Sequence, residues 1–197
     1  MSEFRTAARI APLVAAMIVA GCATAPSRHG GAPYSASALK LCPGVMISNA
    51  PAATGTREIL SYTPFAVVRG VRLARAPVEA CVSSAYGPRA SGAGSFHEGL
   101  DLYTGDPSTV YAGAGGRIKQ AGTQRGYGLT IEIDHGAGVT TRYAHLSSLA
   151  PQMRAGAAVS GGQPIGRTGR SGNATAVHLH YEILVDGRPK DPLKVSG

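Results

Sequence analysis

The sequence predicts a mainly β domain built on antiparallel sheet, and three observations carry that prediction. Glycine supplies 27 of the 197 residues, each of them unfavourable inside a helix. No segment sustains an apolar period of 3.6 residues. Several segments instead alternate apolar and polar residues, the mark of a strand with one face on a core.

The chain opens on MSEFRTAAR and then runs apolar from Ile10 to Ala20. Such a run is too short to cross a bilayer as a finished helix, which takes about 20 residues, but it suits the core of a signal peptide. It ends in Val19-Ala20-Gly21-Cys22, which resembles a bacterial lipobox. The resemblance implies that residues 1–21 are cut off as a lipoprotein signal peptide and that Cys22 carries the membrane lipid. Ala23, where an Asp would mark retention at the inner membrane, points to the outer membrane. An ordinary signal peptide cut near Ala25, with Cys22 discarded, stays open as the alternative.

Residues 22–63 are rich in Ala, Pro, Ser and Gly without a sustained period. They read as a flexible tether, ordered at most around Cys42, ahead of a domain at 64–197. Cys42 and Cys81 remain after Cys22, and an exported protein lives where disulfides persist. A bridge between them closes 39 residues. Such a loop contributes roughly 4 kcal/mol on the chain-entropy model.

The formal charge is +8, and loss of Glu3, Arg5 and Arg9 with the signal leaves 17 basic against 10 acidic residues, or +7. A basic surface favours polyanions, which for an exported protein are cell-wall polymer and anionic lipid. There is no arginine-aromatic stripe or nucleic-acid motif, so nucleic acid is not an expected partner.

Past residue 63 the pattern turns to strands. Val71 to Arg75 and Val78 to Val82 are short extended segments around Ala76-Pro77. Leu129 to Asp134 and Val139 to Ala144 alternate cleanly, joined by His135-Gly136-Ala137-Gly138 as a hairpin connection. In Val177 to Asp186 the apolar set is Val177, Leu179, Tyr181, Ile183 and Val185, and the opposite face carries His178, His180 and Glu182.

The stretch FHEGLDL, residues 96–102, carries the chemistry. His97-Glu98-x-x-Asp101 differs by one letter from the H-E-x-x-H helix of zinc proteases, in which Glu is the general base. That motif needs a helix of several turns, whereas Gly92, Gly94, Gly99, Gly105 and Pro107 leave room for barely two. Glu98 is therefore not expected to be the base. On an extended strand a separation of four also puts His97 and Asp101 on one face, with Gly99 leaving space between them for an ion. Catalytic zinc takes three protein ligands and a water, so a third is needed. His178-Leu179-His180 offers it, since period-2 geometry turns both rings to one face about 6–7 Å apart, one as ligand and one as neighbour.

Taken with SSAYGPR, VYAGAGGRIKQAG, GYGLTIEIDHG, TTRYAHLS, GQPIGRTGRSG and HLHYEILVDGRPKDP, these residues resemble the lysostaphin-type (LytM-like) zinc endopeptidases, which cut peptide cross-links of peptidoglycan. The resemblance spans about Val82 to Val195. It implies one Zn²⁺ per chain held by His97, Asp101 and His180 in a cleft, with His145 and His178 as catalytic residues beside it. It also implies a bacterial envelope protein whose substrate is wall peptide, D-alanyl-diaminopimelate bridges being the expected bond. Some members have lost zinc ligands and activate cell-wall amidases instead. All five positions are filled here, so hydrolysis is expected and the activator or wall-binding module is the alternative. Two departures stand out: Ala176-Val177 replaces the usual Gly-Pro, and Tyr181 stands where Phe is common.

Other polar residues invite plainer readings. His135 in its turn is expected to satisfy backbone groups, and His29 lies in the tether. Glu182 is placed to orient a ligand His or to form a surface ion pair. Arg89 closes a turn or meets substrate, and the glycines from Gly166 to Gly172 form a tight loop at the cleft edge.

Overall fold

The computed structural model describes Met1, residues 31–90 and residues 96–197. The expected signal peptide, the lipidation site Cys22 and His29 lie outside the described residues. Among the described residues there are strands and no helix, as the glycine content and the alternating segments predict.

β1 (Lys40–Leu41) is followed by a hairpin of β2 (Phe65–Val68) and β3 (Val71–Ala74). Its two turn residues, Arg69 and Gly70, have φ of 48° and 79°, the positive pair that a type I′ turn requires. β4 (Cys81–Ser84), β5 (Gly87–Pro88), β6 (Phe96–His97), β7 (Leu100–Tyr103) and β8 (Thr109–Tyr111) come next. A long meander then runs through β9 (Gly116–Gln124), β10 (Gly128–Asp134) and β11 (Val139–Leu146). β12 (Ser148–Leu149), β13 (Ala158–Val159) and β14 (Pro164–Arg167) are short, and β15 (His178–Val185) and β16 (Arg188–Lys190) close the order.

The main sheet runs β1-β4-β7-β15-β11-β10-β9-β13. β16 pairs the far end of β15, where β7 stops. Its pairs are antiparallel except β1 with β4, which is parallel. A three-stranded sheet, β12-β14-β8, packs beside it.

β15 is the centre of the main sheet and is buried over nearly its whole length. Leu179, Tyr181 and Ile183 point to the core with Leu100, Leu102, Ile131, Ile133 and Tyr143, all fully buried. Each such side chain contributes about 1.5–3 kcal/mol by leaving water. The hydroxyl that Tyr181 adds where Phe is common is satisfied, since it donates to the Ala74 carbonyl at 2.8 Å.

The amino-terminal segment departs from the expected tether. Residues 31–63 lie on the domain, burying Ala36, Leu39 and Ile59 in the same core. Cys42 and Cys81 are bridged, with Cα atoms 4.9 Å apart. Small and apolar residues without periodicity gave no strand signal here, yet they pack well against a sheet that another part of the chain supplies.

Candidate metal and catalytic centre

β6 ends at His97 and β7 begins at Leu100, so FHEGLDL is two strands with a bend at Glu98-Gly99, not a helix and not one strand. His97 and Asp101 meet through that bend rather than through strand period. The space beside Gly99 also differs from expectation. A Cβ there would stand 2.6 Å from the Tyr181 carbonyl and 2.8 Å from His180 Cε1, so the missing side chain admits β15 and not an ion. Antiparallel pairing of β7 with β15 sets Asp101 opposite His180, and it is this register that completes the cluster.

His97 Nε2, Asp101 Oδ1 and His180 Nδ1 form a triangle with sides of 3.1, 3.1 and 2.8 Å. Ligand atoms around tetrahedral zinc with bonds of about 2.0–2.1 Å lie about 3.3 Å apart, so this donor set fits such an ion with small adjustment. Two imidazoles and one carboxylate are also the nitrogen and oxygen donors that zinc takes readily.

Hydrogen bonds behind the rings fix which nitrogen faces the cleft. His97 Nδ1 donates to Ala85 O at 2.7 Å, and His180 Nε2 donates to Glu182 Oε1 at 2.9 Å. His178 Nδ1 donates to Ala176 O at 2.9 Å, and His145 Nδ1 to Ser171 O at 2.8 Å. In a neutral imidazole the other nitrogen then carries the lone pair. When all four rings are neutral, four lone pairs face one region. The Ala176-Val177 departure keeps the bond to His178, because it comes from a backbone carbonyl.

His145 reaches the cleft by a local irregularity. The β10–β11 register shifts at Leu129 and Ile131, and opposite that shift His145 takes φ of 60°, rare for a residue with a side chain. Its ring centroid lies 4.9 Å from that of His178 and 5.8 Å from that of His180. The loop beneath it is held by close backbone approach: a Cβ on Gly128 would stand 2.4 Å from Ser171, whose carbonyl anchors His145. Ser171 Oγ accepts from Leu129 N at 2.9 Å, so the turn at Ser171-Gly172 supports His145 from behind, whereas Gly166 of the expected loop lies in β14.

The charges are arranged around the donor set. Burial opposes ionisation of Asp101, but hydrogen bonds from His180 and His97 hold its carboxyl well below the usual range. Arg89 also donates to Asp101 Oδ2 at 3.2 Å and to Ser84 Oγ at 3.0 Å. Burial pushes His180 down, and bonds to Asp101 and Glu182 more than offset it, raising the ring to about 9 in the absence of metal. His145 has no carboxylate in hydrogen-bond contact, and burial lowers it to about 4. Glu182 is fully buried beneath His180, and Arg142 bridges it at 2.7 Å to Glu132 at 2.8 Å. Arg142 also lies 4.6 Å over the Tyr127 ring. Glu182 is therefore an orienting group, not a surface ion pair.

His97, Asp101, His145, His178, His180 and Arg89 line a cleft of about 490 Å³, which Glu98, Tyr127, Asn173 and Thr175 also border. Glu98 is exposed at the rim, away from the donor triangle. His135 is remote and bound to Gly115 O at 2.9 Å and Thr141 Oγ1 at 2.8 Å. Tyr127 and Arg142 stand in GYGLTIEIDHG and TTRYAHLS, but nothing in the sequence gave either a role. The alternation of Val139 to Ala144 placed Arg142 on the polar face, but only the pairing of Arg142 with Glu182 across β11 and β15 gives it a role.

Comparison with known proteins agrees with this geometry. Residues 95–192 match Peptidase family M23. The DD-carboxypeptidase/endopeptidase Mpg of Neisseria meningitidis serogroup B is 40% identical over 101 residues, which cover 51% of this chain and 23% of Mpg. The chain thus spans about a quarter of that relative's length. A zinc-containing peptidase from Vibrio cholerae superposes with a TM-score of 0.53 at 28% identity, over 68% of this chain and 40% of that one. The catalytic domain of lysostaphin from Staphylococcus simulans gives a TM-score of 0.50 at 32% identity, over 55% of this chain and 85% of the lysostaphin domain. With one stretch of sequence carrying the family match and that domain covered almost whole, the chain belongs to peptidase family M23.

Proposed function

We propose that the protein is a zinc-dependent endopeptidase of peptidoglycan cross-links, with His97, Asp101 and His180 holding one Zn²⁺ and His145 and His178 acting beside it. The observation that carries this is the convergence of four oriented imidazoles on one carboxylate in an open cleft. When bound, zinc supplies a Lewis acid that polarises a carbonyl and lowers the pKa of a water.

The chain's own residues do the rest. His145, held to about 4 by burial, is neutral at pH 7, and its Nε2 is free to take a proton. His178 Nε2 lies 3.7 Å from Asp101 Oδ1, on the same side of the donor set. Either imidazole, once protonated, can hydrogen-bond a developing oxyanion or pass a proton to a leaving amine.

The substrate reading draws on the relatives: Mpg is named a DD-carboxypeptidase/endopeptidase, and lysostaphin an antimicrobial peptidase. A D-alanyl-diaminopimelate bridge in the bacterial envelope is the proposed target. The disulfide supports an oxidising compartment, and lipid on Cys22 would hold the protein at the outer membrane facing the wall.

The test is hydrolysis of purified sacculi with bound zinc quantified. Wild type is expected to release cross-linked peptides as monomers. His180→Ala should lose both zinc and activity, whereas His145→Ala should keep zinc and lose about 10²–10⁴-fold in turnover. Zinc-loaded protein that leaves sacculi intact while stimulating envelope amidases would replace this reading with an activator role.

A further inference from the structure

The family match begins at residue 95, yet part of what aims His97 comes from much earlier in the chain. His97 Nδ1 donates to Ala85 O at 2.7 Å, and that bond leaves Nε2 facing Asp101 and His180. Ala85 lies between β4 and β5, outside both ladders. Its C=O and its N–H are both held by one side chain. Asn49 Nδ2 donates to Ala85 O, and Asn49 Oδ1 accepts from Ala85 N at 3.4 Å. A carbonyl has two lone pairs, so one serves Asn49 and the other His97.

Asn49 is in turn held in place by its own surroundings. Seven residues before it, Cys42 is bonded to Cys81 and its N–H donates to Val82 O at 2.9 Å. The Arg57 guanidinium donates to the carbonyls of Leu41, Cys42 and Val45, closing the turn between the disulfide and Asn49. Next to Asn49, Ser48 Oγ accepts from Ala90 N at 3.3 Å, a contact that does not reach Ala85.

We propose that Asn49 is a positioning residue for His97. Its amide holds the N–H and C=O of Ala85 so that the carbonyl keeps the imidazole oriented with Nδ1 protonated and Nε2 presented as a donor atom. The proposal rests on the zinc reading above, and it assigns a share of the metal site to the amino-terminal segment, outside the residues that match the family.

The discriminating variant is Asn49→Asp, which keeps the acceptor for Ala85 N but sets an anionic oxygen against Ala85 O. Zinc affinity is measured by competition with a chromophoric chelator, and the visible spectrum of the cobalt-substituted protein reports ligand geometry. The expected result is a 10–100-fold loss of zinc affinity, the range for groups that orient a ligand from behind, with an altered cobalt spectrum. Ser48→Ala, which loosens the same loop without touching Ala85, should bind as the parent does. If Asn49→Asp binds zinc like the parent, or Ser48→Ala loses as much, Asn49 has no specific role and the proposal fails. A parent chain that binds no zinc overturns the zinc reading itself, and this inference with it. Should Asn49→Asp not fold, Asn49→Ala, which leaves the carbonyl to His97 alone, is read by the same titration against the same expectation.

Discussion

Gly99→Ala is a single methyl group placed where the structure has no room for it. The added Cβ would stand 2.6 Å from the Tyr181 carbonyl oxygen, 2.8 Å from His180 Cε1 and 3.0 Å from Glu182 Cγ. Ordinary contact begins at 3.4 Å, so the three atoms must give by 0.4–0.8 Å, the Tyr181 carbonyl most. β15 is buried in the middle of the main sheet and cannot retreat without disturbing its pairing with β11. The strain therefore falls on the His180 ring and on the His97–Asp101 bend. Overpacking of this kind costs about 1–3 kcal/mol. For a chain of this size that lowers Tm by about 2–12 °C. A displacement above about 0.5 Å also exceeds what a working constellation tolerates, so zinc affinity should fall with stability. Differential scanning calorimetry of the metal-free protein and chelator competition measure the two effects separately. Unchanged Tm together with unchanged zinc affinity would refute the argument that Gly99 exists to admit β15.

Three further outcomes follow from the same geometry. Glu182→Ala removes the acceptor behind His180 and should weaken zinc binding by about 10–100-fold, with Glu182→Gln retaining more of it because its carbonyl still accepts from Nε2; zinc titration distinguishes them. Cys42→Ser opens the 39-residue loop and should destabilise the protein by about 2–5 kcal/mol in urea unfolding. In the metal-free protein, stability should rise with pH from about 4 to about 6.5, because the unfolded chain binds the proton that buried His145 refuses, and fall from about 6.5 to about 9, because native His180 holds a proton that the unfolded chain releases. Unfolding curves across pH test this; His145→Gln should make the first limb shallower and leave the second unchanged, the remaining slope of the first coming in part from His135, which burial also pushes down.

The strand period was legible wherever one face met a core: Leu129–Asp134, Val139–Ala144 and Val177–Asp186 all lie in observed strands or run one residue past them. The residues of the candidate site were legible too, because His and Asp at short fixed spacings in a chain poor in charge stand out. What could not be read was how they meet. His97 and Asp101 converge through a bend that glycine permits, while the reason for that glycine lies 82 residues on, at Tyr181.

By itself the sequence determined the β class, the face of β15 that carries His178 and His180, and the identity of the groups that gather there, because side-chain direction along a strand is a local property of the backbone. Tertiary structure alone decided the working geometry. The β7–β15 register sets Asp101 against His180, a shift in the β10–β11 ladder turns His145 into the cleft, and carbonyls of Ala85, Ser171 and Ala176 select the nitrogen each ring presents. The packing of residues 31–63 belongs to the same class, since those residues bury their apolar atoms only against a sheet formed elsewhere. Each of these depends on backbone groups brought together across the chain, and a backbone carbonyl has the same letterless identity at every position.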